Sequence, residues 1–137
     1  MNPTLRNVLV VIAGLFLGSL INMSIILNGV DIIPLPKGID PNNMESMKTG
    51  MHLFRPKHFI TPFIAHAIGT LVGAFIAARL GATNHFMLAM IVGSIFLIGG
   101  ISMTFTLPAP LWFSLTDVVF AYIPAAYLGW KLSGRGR

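Results

Sequence analysis

Residues 61–80 read Thr-Pro-Phe-Ile-Ala-His-Ala-Ile-Gly-Thr-Leu-Val-Gly-Ala-Phe-Ile-Ala-Ala-Arg-Leu, an apolar run with a histidine, His66, near its start and an arginine, Arg79, at its end. About twenty apolar residues in a helix cross the hydrocarbon core of a bilayer, which is roughly 30 Å thick. Thr61 and Pro62 form a typical helix start, and Gly81 is a typical helix stop. The run therefore predicts a membrane-spanning helix that carries His66 inside the membrane.

Three further apolar runs of similar length occupy residues 8–27, 86–107 and 114–132, and Pro124 predicts a kink in the last of them. Of the 137 residues 55% are hydrophobic and 9% are charged, whereas a soluble domain carries roughly 25% charged residues. We therefore predict an all-α integral membrane protein. It would be a single domain, 1–137, built as a four-helix transmembrane bundle. The first run is too long for the apolar part of a cleavable signal peptide, so we expect it to be retained.

The basic residues are divided between the two sides of this predicted topology. One side carries five basic and no acidic residues: Arg6, Arg79, Lys131, Arg135 and Arg137. The other side is the long connection 28–60, with four basic residues: Lys37, Lys48, Arg55 and Lys57. Because cytoplasmic segments carry an excess of Lys and Arg, we expect cytoplasmic termini and an extracytoplasmic loop 28–60 in the cytoplasmic (inner) membrane. The expected partner is the lipid bilayer, not nucleic acid.

The long loop contains one helical pattern. Asp40 and Pro41 have the form of an N-cap followed by the first residue of a helix. Apolar residues then recur at helical spacing, with a polar face beside them: Met44, Met47 and Met51 on the first, Glu45, Lys48 and His52 on the second. The pattern predicts a short amphipathic helix that lies on the membrane surface or covers the bundle.

The same stripe contains weak candidates for a metal site, Met44, Met47, Met51 and His52. Thioether sulfur and imidazole nitrogen are ligands that suit Cu(I). Methionine is also a common apolar filler, and the helical stripe explains these residues without a metal. The metal and any cofactor therefore stay unknown.

Small residues mark the faces along which the predicted spans approach each other, because small side chains allow close contact between helices in lipid. The polar residues on or beside these faces are Asn22, His66, Asp117, Ser102 and Thr104. At ~1.5 Å per residue they lie roughly 5–8 Å from the outer ends of their helices. We therefore expect one polar layer, forming a small chamber that opens to the outside.

Two interpretations of Asp117 stay open. In the first, Asp117 pairs with His66 in a chamber that binds or transports a proton, a cation or a small polar solute, as is typical of ionisable residues inside membranes. In the second, Ser114 and Asp117 are the two members of a capping box that starts the fourth span. Asn22 and His66 would then only hold helices together by hydrogen bonds.

The sequence thus leaves two main function classes, a small transport or binding protein and a non-catalytic accessory or assembly subunit of a larger membrane complex. The glycines at positions 14, 18, 69 and 73 predict faces for self-association, so we expect a homo-oligomer or partner membrane proteins. The chain has no cysteine, which excludes disulfides and thiolate chemistry. An enzyme that acts on lipid is a third and less favoured class, because no spacing in the chain requires a catalytic group.

Overall fold

A computed structural model describes residues 1–136, so Arg137 lies outside the described residues. Six α-helices follow one another along the chain: α1 (Pro3–Ile32), α2 (Met44–Gly50), α3 (Ile60–Leu80), α4 (His85–Thr106), α5 (Leu111–Phe120) and α6 (Ile123–Leu132). Two 3₁₀ turns, Met51–Leu53 and Pro56–Phe59, connect α2 to α3. Four stretches are long and apolar enough to cross a membrane, namely α1, α3 with its preceding turn, α4, and α5 together with α6. The prediction of an all-helical chain with four such segments is confirmed.

The first helix extends beyond the predicted span 8–27 at both ends. At its start the side chain of Asn2 accepts a hydrogen bond from the Thr4 amide at 2.8 Å, which caps the helix. At its end Pro34 stops the helix, since the residue before a proline avoids helical backbone angles. Hydropathy detects only the apolar part of a helix, and this is why the sequence-based bounds were too narrow.

The backbones of α1 and α3 are in close contact along four glycines, Gly14, Gly18, Gly69 and Gly73, which we call the glycine seam. A Cβ atom added to Gly69 would lie 2.7 Å from the carbonyl oxygen of Gly18, and one added to Gly73 would lie 2.6 Å from that of Gly14. The two helices are therefore antiparallel and in fixed register. We expected these glycines to form free faces for self-association. They do not, because they face each other within one chain.

Helix α3 lies at the centre of the packing and contacts α1, α4 and α6. The buried cluster around it consists mainly of small side chains, which permit close helix contact: Val10, Ala74, Ala77, Ala78, Leu88, Ala89, Val92 and Ala126. Helix packing in lipid depends on such close van der Waals contact, since lipid tails are as apolar as leucine. The position of α3 brings any polar group on its inner face next to several helices at once.

Side chains of basic residues join the helix ends at one end of the molecule. Arg6 Nε donates to the Leu80 carbonyl at 2.8 Å, and Arg79 Nη1 donates to the Ser133 carbonyl at 3.2 Å. The start of α1, the end of α3 and the end of α6 therefore lie together. We call the region around these helix ends the basic end; its four described cationic residues are Arg6, Arg79, Lys131 and Arg135.

The amphipathic helix in the loop is shorter than predicted. α2 begins after Asn43, whose side chain accepts from the Ser46 amide at 3.1 Å. The expected helix start at Asp40 is wrong, because the Asp40 carboxylate accepts from the Asn42 amide at 2.9 Å in a local turn. Further along the loop, the Phe59 ring packs on that of Phe113, with ring centroids 4.6 Å apart, and ties the loop to the start of α5.

The fourth span starts earlier than predicted and is broken. α5 begins at Leu111 with Pro110 at the N-cap, and the Ser114 amide already donates to the Pro110 carbonyl at 3.1 Å. The predicted start at Ser114, with its capping box, is therefore wrong, since the proline starts the helix earlier. The kink expected from Pro124 is confirmed as a break at residues 121–122 between α5 and α6.

We predict that Gly73→Ala destabilises the protein by about 1–3 kcal/mol, the usual cost of overpacking. The added methyl group would collide with the Gly14 backbone in the glycine seam. The measurement is the free energy of unfolding of the purified protein in detergent micelles. The matched control is Gly99→Ala, because a Cβ at Gly99 meets nothing within 4 Å. Equal stability of the two variants would contradict the close contact of α1 and α3.

Candidate functional site

Three side chains from different parts of the fold meet around the carboxyl group of Asp117. Asp117 lies in α5, Tyr122 at the break between α5 and α6, and His66 in the second turn of α3. His66 Nδ1 lies 2.8 Å from Asp117 Oδ1, and the Tyr122 hydroxyl donates to Asp117 Oδ2 at 3.0 Å. We call these three residues the carboxylate centre. The structure thus shows the pair of Asp117 and His66 that the first interpretation predicted.

The hydrogen bonds assign a role to each atom of the carboxylate centre. An ionised carboxylate only accepts, so His66 Nδ1–H and the Tyr122 hydroxyl are the two donors. The neutral imidazole then keeps its lone pair on Nε2, and a protonated imidazole carries a second N–H there. The rings of His66 and Tyr122 stack with centroids 5.8 Å apart and an interplanar angle of 24°. The imidazole is therefore held on two sides, while Nε2 is its remaining reactive atom.

Burial differs across the carboxylate centre. The side chain of Asp117 is 7% exposed and that of Tyr122 is also buried, whereas 23% of the His66 side chain is exposed. A carboxylate at this depth is costly unless it is paired and hydrogen-bonded. Both of its oxygens have a partner, so the cost is offset locally. The accessible part of the site is the imidazole.

A notch in α4 makes room for Tyr122. A Cβ added to Gly100 would collide with the phenol ring and hydroxyl of Tyr122. Tyr122 was not among the predicted site residues, although a tyrosine in an apolar span needs a partner for its hydroxyl. Its position two residues before Pro124, at the break, was the available signal.

Asn22 faces the same region from α1. Its Cβ would lie 2.9 Å from a Cβ added to Gly69, which is one helical turn beyond His66 along α3. The amide oxygen of Asn22 is buried, and no hydrogen-bond donor reaches it within residues 1–136. A buried acceptor without a donor is unusual in proteins. Asn22 therefore places an unused acceptor on α1, opposite Gly69 of α3.

Ser102 and Thr104 do not join the carboxylate centre. The hydroxyl of Ser102 donates to the Ile98 carbonyl at 2.9 Å, and that of Thr104 donates to the Ile101 carbonyl at 2.7 Å. Both hydroxyls are thus satisfied by their own helix, which is common for hydroxyl residues inside spans. The expected single layer of five polar residues is reduced to the carboxylate centre with Asn22 nearby. Thr104 lines a different cavity, of about 370 Å³, between α4 and α5.

The candidate metal ligands of the loop do not form a common surface. Met51 is buried, whereas Met44 and His52 are exposed. Met47, between them along the chain, is half-buried. Across residues 1–136 no group of three or more His, Asp or Glu side chains could hold a metal ion. Of the three methionines only Met51 is a buried packing residue, and a metal site on this stripe stays a prediction.

The break in the fourth span opens the backbone close to Asp117. Pro124 has no amide hydrogen, so the carbonyl of Phe120 loses its usual helical partner. In the described part of the chain the amides of Tyr122 and Ile123 also make no backbone hydrogen bond to α5. Interrupted helices of this kind are tolerated at membrane depth where protein or a water-filled space surrounds them. The carboxylate centre thus combines a titratable pair with a discontinuous helix.

Comparison with known proteins gives no relative: no protein-family model, no curated protein and no solved structure matches this chain.

We predict that Tyr122→Phe lowers the free energy of unfolding by about 1–3 kcal/mol, because one oxygen of a buried carboxylate loses its donor. Unfolding in detergent micelles measures the loss. The matched control is Tyr127→Phe, the other tyrosine of the chain, whose side chain is 43% exposed. Its effect should stay within about 0.5 kcal/mol, as for most surface substitutions. Equal effects of both substitutions would show that the bond between Tyr122 and Asp117 contributes nothing.

Proposed function

We propose that this protein is a small proton-transporting membrane protein in which the carboxylate centre binds and releases the proton. The observation that carries the proposal is the pair of His66 and Asp117, with the imidazole partly accessible and the carboxylate enclosed. Ionisable residues inside a membrane are costly and commonly mark proton or ion pathways. Histidine is also the side chain whose protonation changes most readily near neutral pH.

The arrangement of donors favours a proton over a metal cation. Both oxygens of Asp117 already accept a hydrogen bond, one from His66 and one from Tyr122. A metal ion that used this carboxylate as a ligand would have to displace at least one of these donors. A proton on His66 Nε2 leaves both bonds intact and turns the pair into imidazolium and carboxylate, with no net charge. The unused acceptor on Asn22 lies on the neighbouring helix α1, opposite Gly69 of α3.

The break between α5 and α6 supports movement at this site. Discontinuous helices line the binding sites of many transporters, where freed backbone groups contact the transported species. Here the break contributes Tyr122 to the carboxylate centre, so a change in the protonation of Asp117 or His66 acts directly on the junction. The notch at Gly100 lets α4 follow this junction closely.

For the topology we propose a four-helix bundle with its basic end in the cytoplasm, in the cytoplasmic (inner) membrane. All four described basic residues of this end lack an acidic neighbour in the sequence, and positive charge near span ends marks the cytoplasmic side. Residues 33–59 are then extracytoplasmic. His66 lies six residues into α3, roughly 9 Å from that side at 1.5 Å per residue. Protons would enter the carboxylate centre from the outside.

The decisive experiment is proton flux into liposomes that contain the purified protein, driven by a potassium diffusion potential and followed with a pH-sensitive dye inside the vesicles. Asp117→Asn should reduce the flux to the level of protein-free vesicles, because the amide cannot stabilise an imidazolium. His66→Gln should do the same. The control is Ser102→Ala, which removes a polar group that bonds only to its own helix. It should leave the flux unchanged.

Full flux in Asp117→Asn would contradict the proposed role of the carboxylate centre. Wild-type protein that inserts correctly but gives no flux above protein-free vesicles would contradict transport itself. In that case the alternative, a non-catalytic accessory or assembly subunit, predicts that partner membrane proteins co-purify in mild detergent.

The topology is tested by cysteine labelling, for which the natural absence of cysteine is an advantage. Lys48→Cys and Arg135→Cys place single thiols on exposed residues of the loop and the basic end. A membrane-impermeant maleimide should label the first in intact cells and the second only after the membrane is permeabilised. The reverse pattern would place the termini outside and contradict the proposed orientation.

A further inference from the structure

A second candidate site lies at the basic end, at the opposite ends of α3 and α6 from the carboxylate centre. A cavity of about 330 Å³ separates the start of α4 from the end of α6 and is lined by Asn84, His85, Phe86, Met87, Trp130 and Arg135. The cavity is shallow and widely open. We call it the basic-end cavity.

The four described cations of the basic end differ in their contacts. Arg6 and Arg79 each donate to a backbone carbonyl that closes the fold. Lys131 and Arg135 have no Asp or Glu side chain within ion-pair distance anywhere in residues 1–136. Both side chains are exposed. The basic-end cavity therefore has two cations beside it whose charge no acidic side chain balances.

The wall of the basic-end cavity is aromatic and apolar. The ring of Phe86 meets that of Trp130 edge-to-face at 4.9 Å, and the ring of Tyr127 also packs against Trp130, with centroids 5.5 Å apart. Lys131 Nζ lies 5.2 Å from the centroid of Trp130 and 5.7 Å from that of Tyr127. Rings of this kind are enriched at the level of lipid headgroups. A ligand here meets cations at the rim and an apolar surface beside them.

One residue of the wall is fixed in orientation. His85 Nδ1 lies 2.9 Å from the Ala78 carbonyl, so this nitrogen carries the hydrogen and donates. The bond leaves Nε2 as the free end of the ring. Asn84 precedes it in a left-handed backbone conformation, with φ of 51°, and its side chain caps no helix amide. Polar groups of the cavity are thus available to a ligand.

We propose that the basic-end cavity binds the phosphate headgroup of an anionic phospholipid. Charge complementarity supports an anion, because Lys131 and Arg135 stand beside the cavity with no acidic counter-charge. The aromatic wall supports a lipid, since the glycerol and upper acyl chain would lie on Trp130 and Phe86 while the phosphate reaches Arg135. Basic pockets between spans are typical sites for such headgroups. The proposal stands independently of proton transport.

The test is native mass spectrometry of the detergent-purified full chain titrated with phosphatidylglycerol. Each basic residue near a charged membrane surface contributes about fivefold in affinity, so we expect about fivefold weaker binding for Lys131→Gln or Arg135→Gln and about 25-fold for the pair. Both residues are exposed, and circular dichroism should show unchanged helix content. The matched control is Lys37→Gln with Lys48→Gln, which removes the same charge from the loop and should leave binding unchanged.

Three results would overturn the proposal. Equal loss of binding in the loop control would mean that total charge, and not the basic-end cavity, determines binding. Phosphatidylcholine binding as tightly as phosphatidylglycerol would remove the argument from charge. Inorganic phosphate competing at the same concentration as the lipid would identify the ligand as a free anion.

Discussion

The contact between the backbones of α1 and α3 at the glycine seam is the constraint on which the other features depend. Inside a bilayer, burial of apolar side chains gives little driving force for helix association, so close packing of backbones has to supply it. Each glycine of one helix meets a carbonyl of the other, which fixes both the register and the rotation of the pair. In this register Asn22 lies next to Gly69, and the polar face of α3 points into the protein.

The second constraint is the charge of Asp117. A carboxylate at this depth requires a donor for each oxygen, and one straight helix cannot provide both. His66 provides the first from α3, and Tyr122 provides the second from the break between α5 and α6. The break leaves backbone groups without helical partners, and the glycine notch in α4 admits the tyrosine ring. The buried Asp117 is thus accompanied by local adjustments in α4, α5 and α6.

The two candidate sites lie at opposite ends of the spans and rely on different physics. The carboxylate centre is enclosed, and its polar atoms are nearly all paired, so it is suited to the smallest cation, the proton. The basic-end cavity is open, and the two cations beside it lack acidic partners, so it is suited to an anionic headgroup at the membrane surface. In the two proposals, one end would bind and release a proton inside the membrane, and the other would bind a lipid headgroup at its surface.

The sequence by itself determined the class of protein and the number and approximate position of its four apolar spans, because hydrophobic length is a property of consecutive residues. It also indicated the kink at Pro124, and it named His66 and Asp117, since ionisable groups in apolar runs are conspicuous. Only the tertiary structure decided that these two meet, that Tyr122 completes the centre and that Ser102 stays outside it. Those outcomes depend on helix rotation and register, which arise from contacts between residues far apart in the chain.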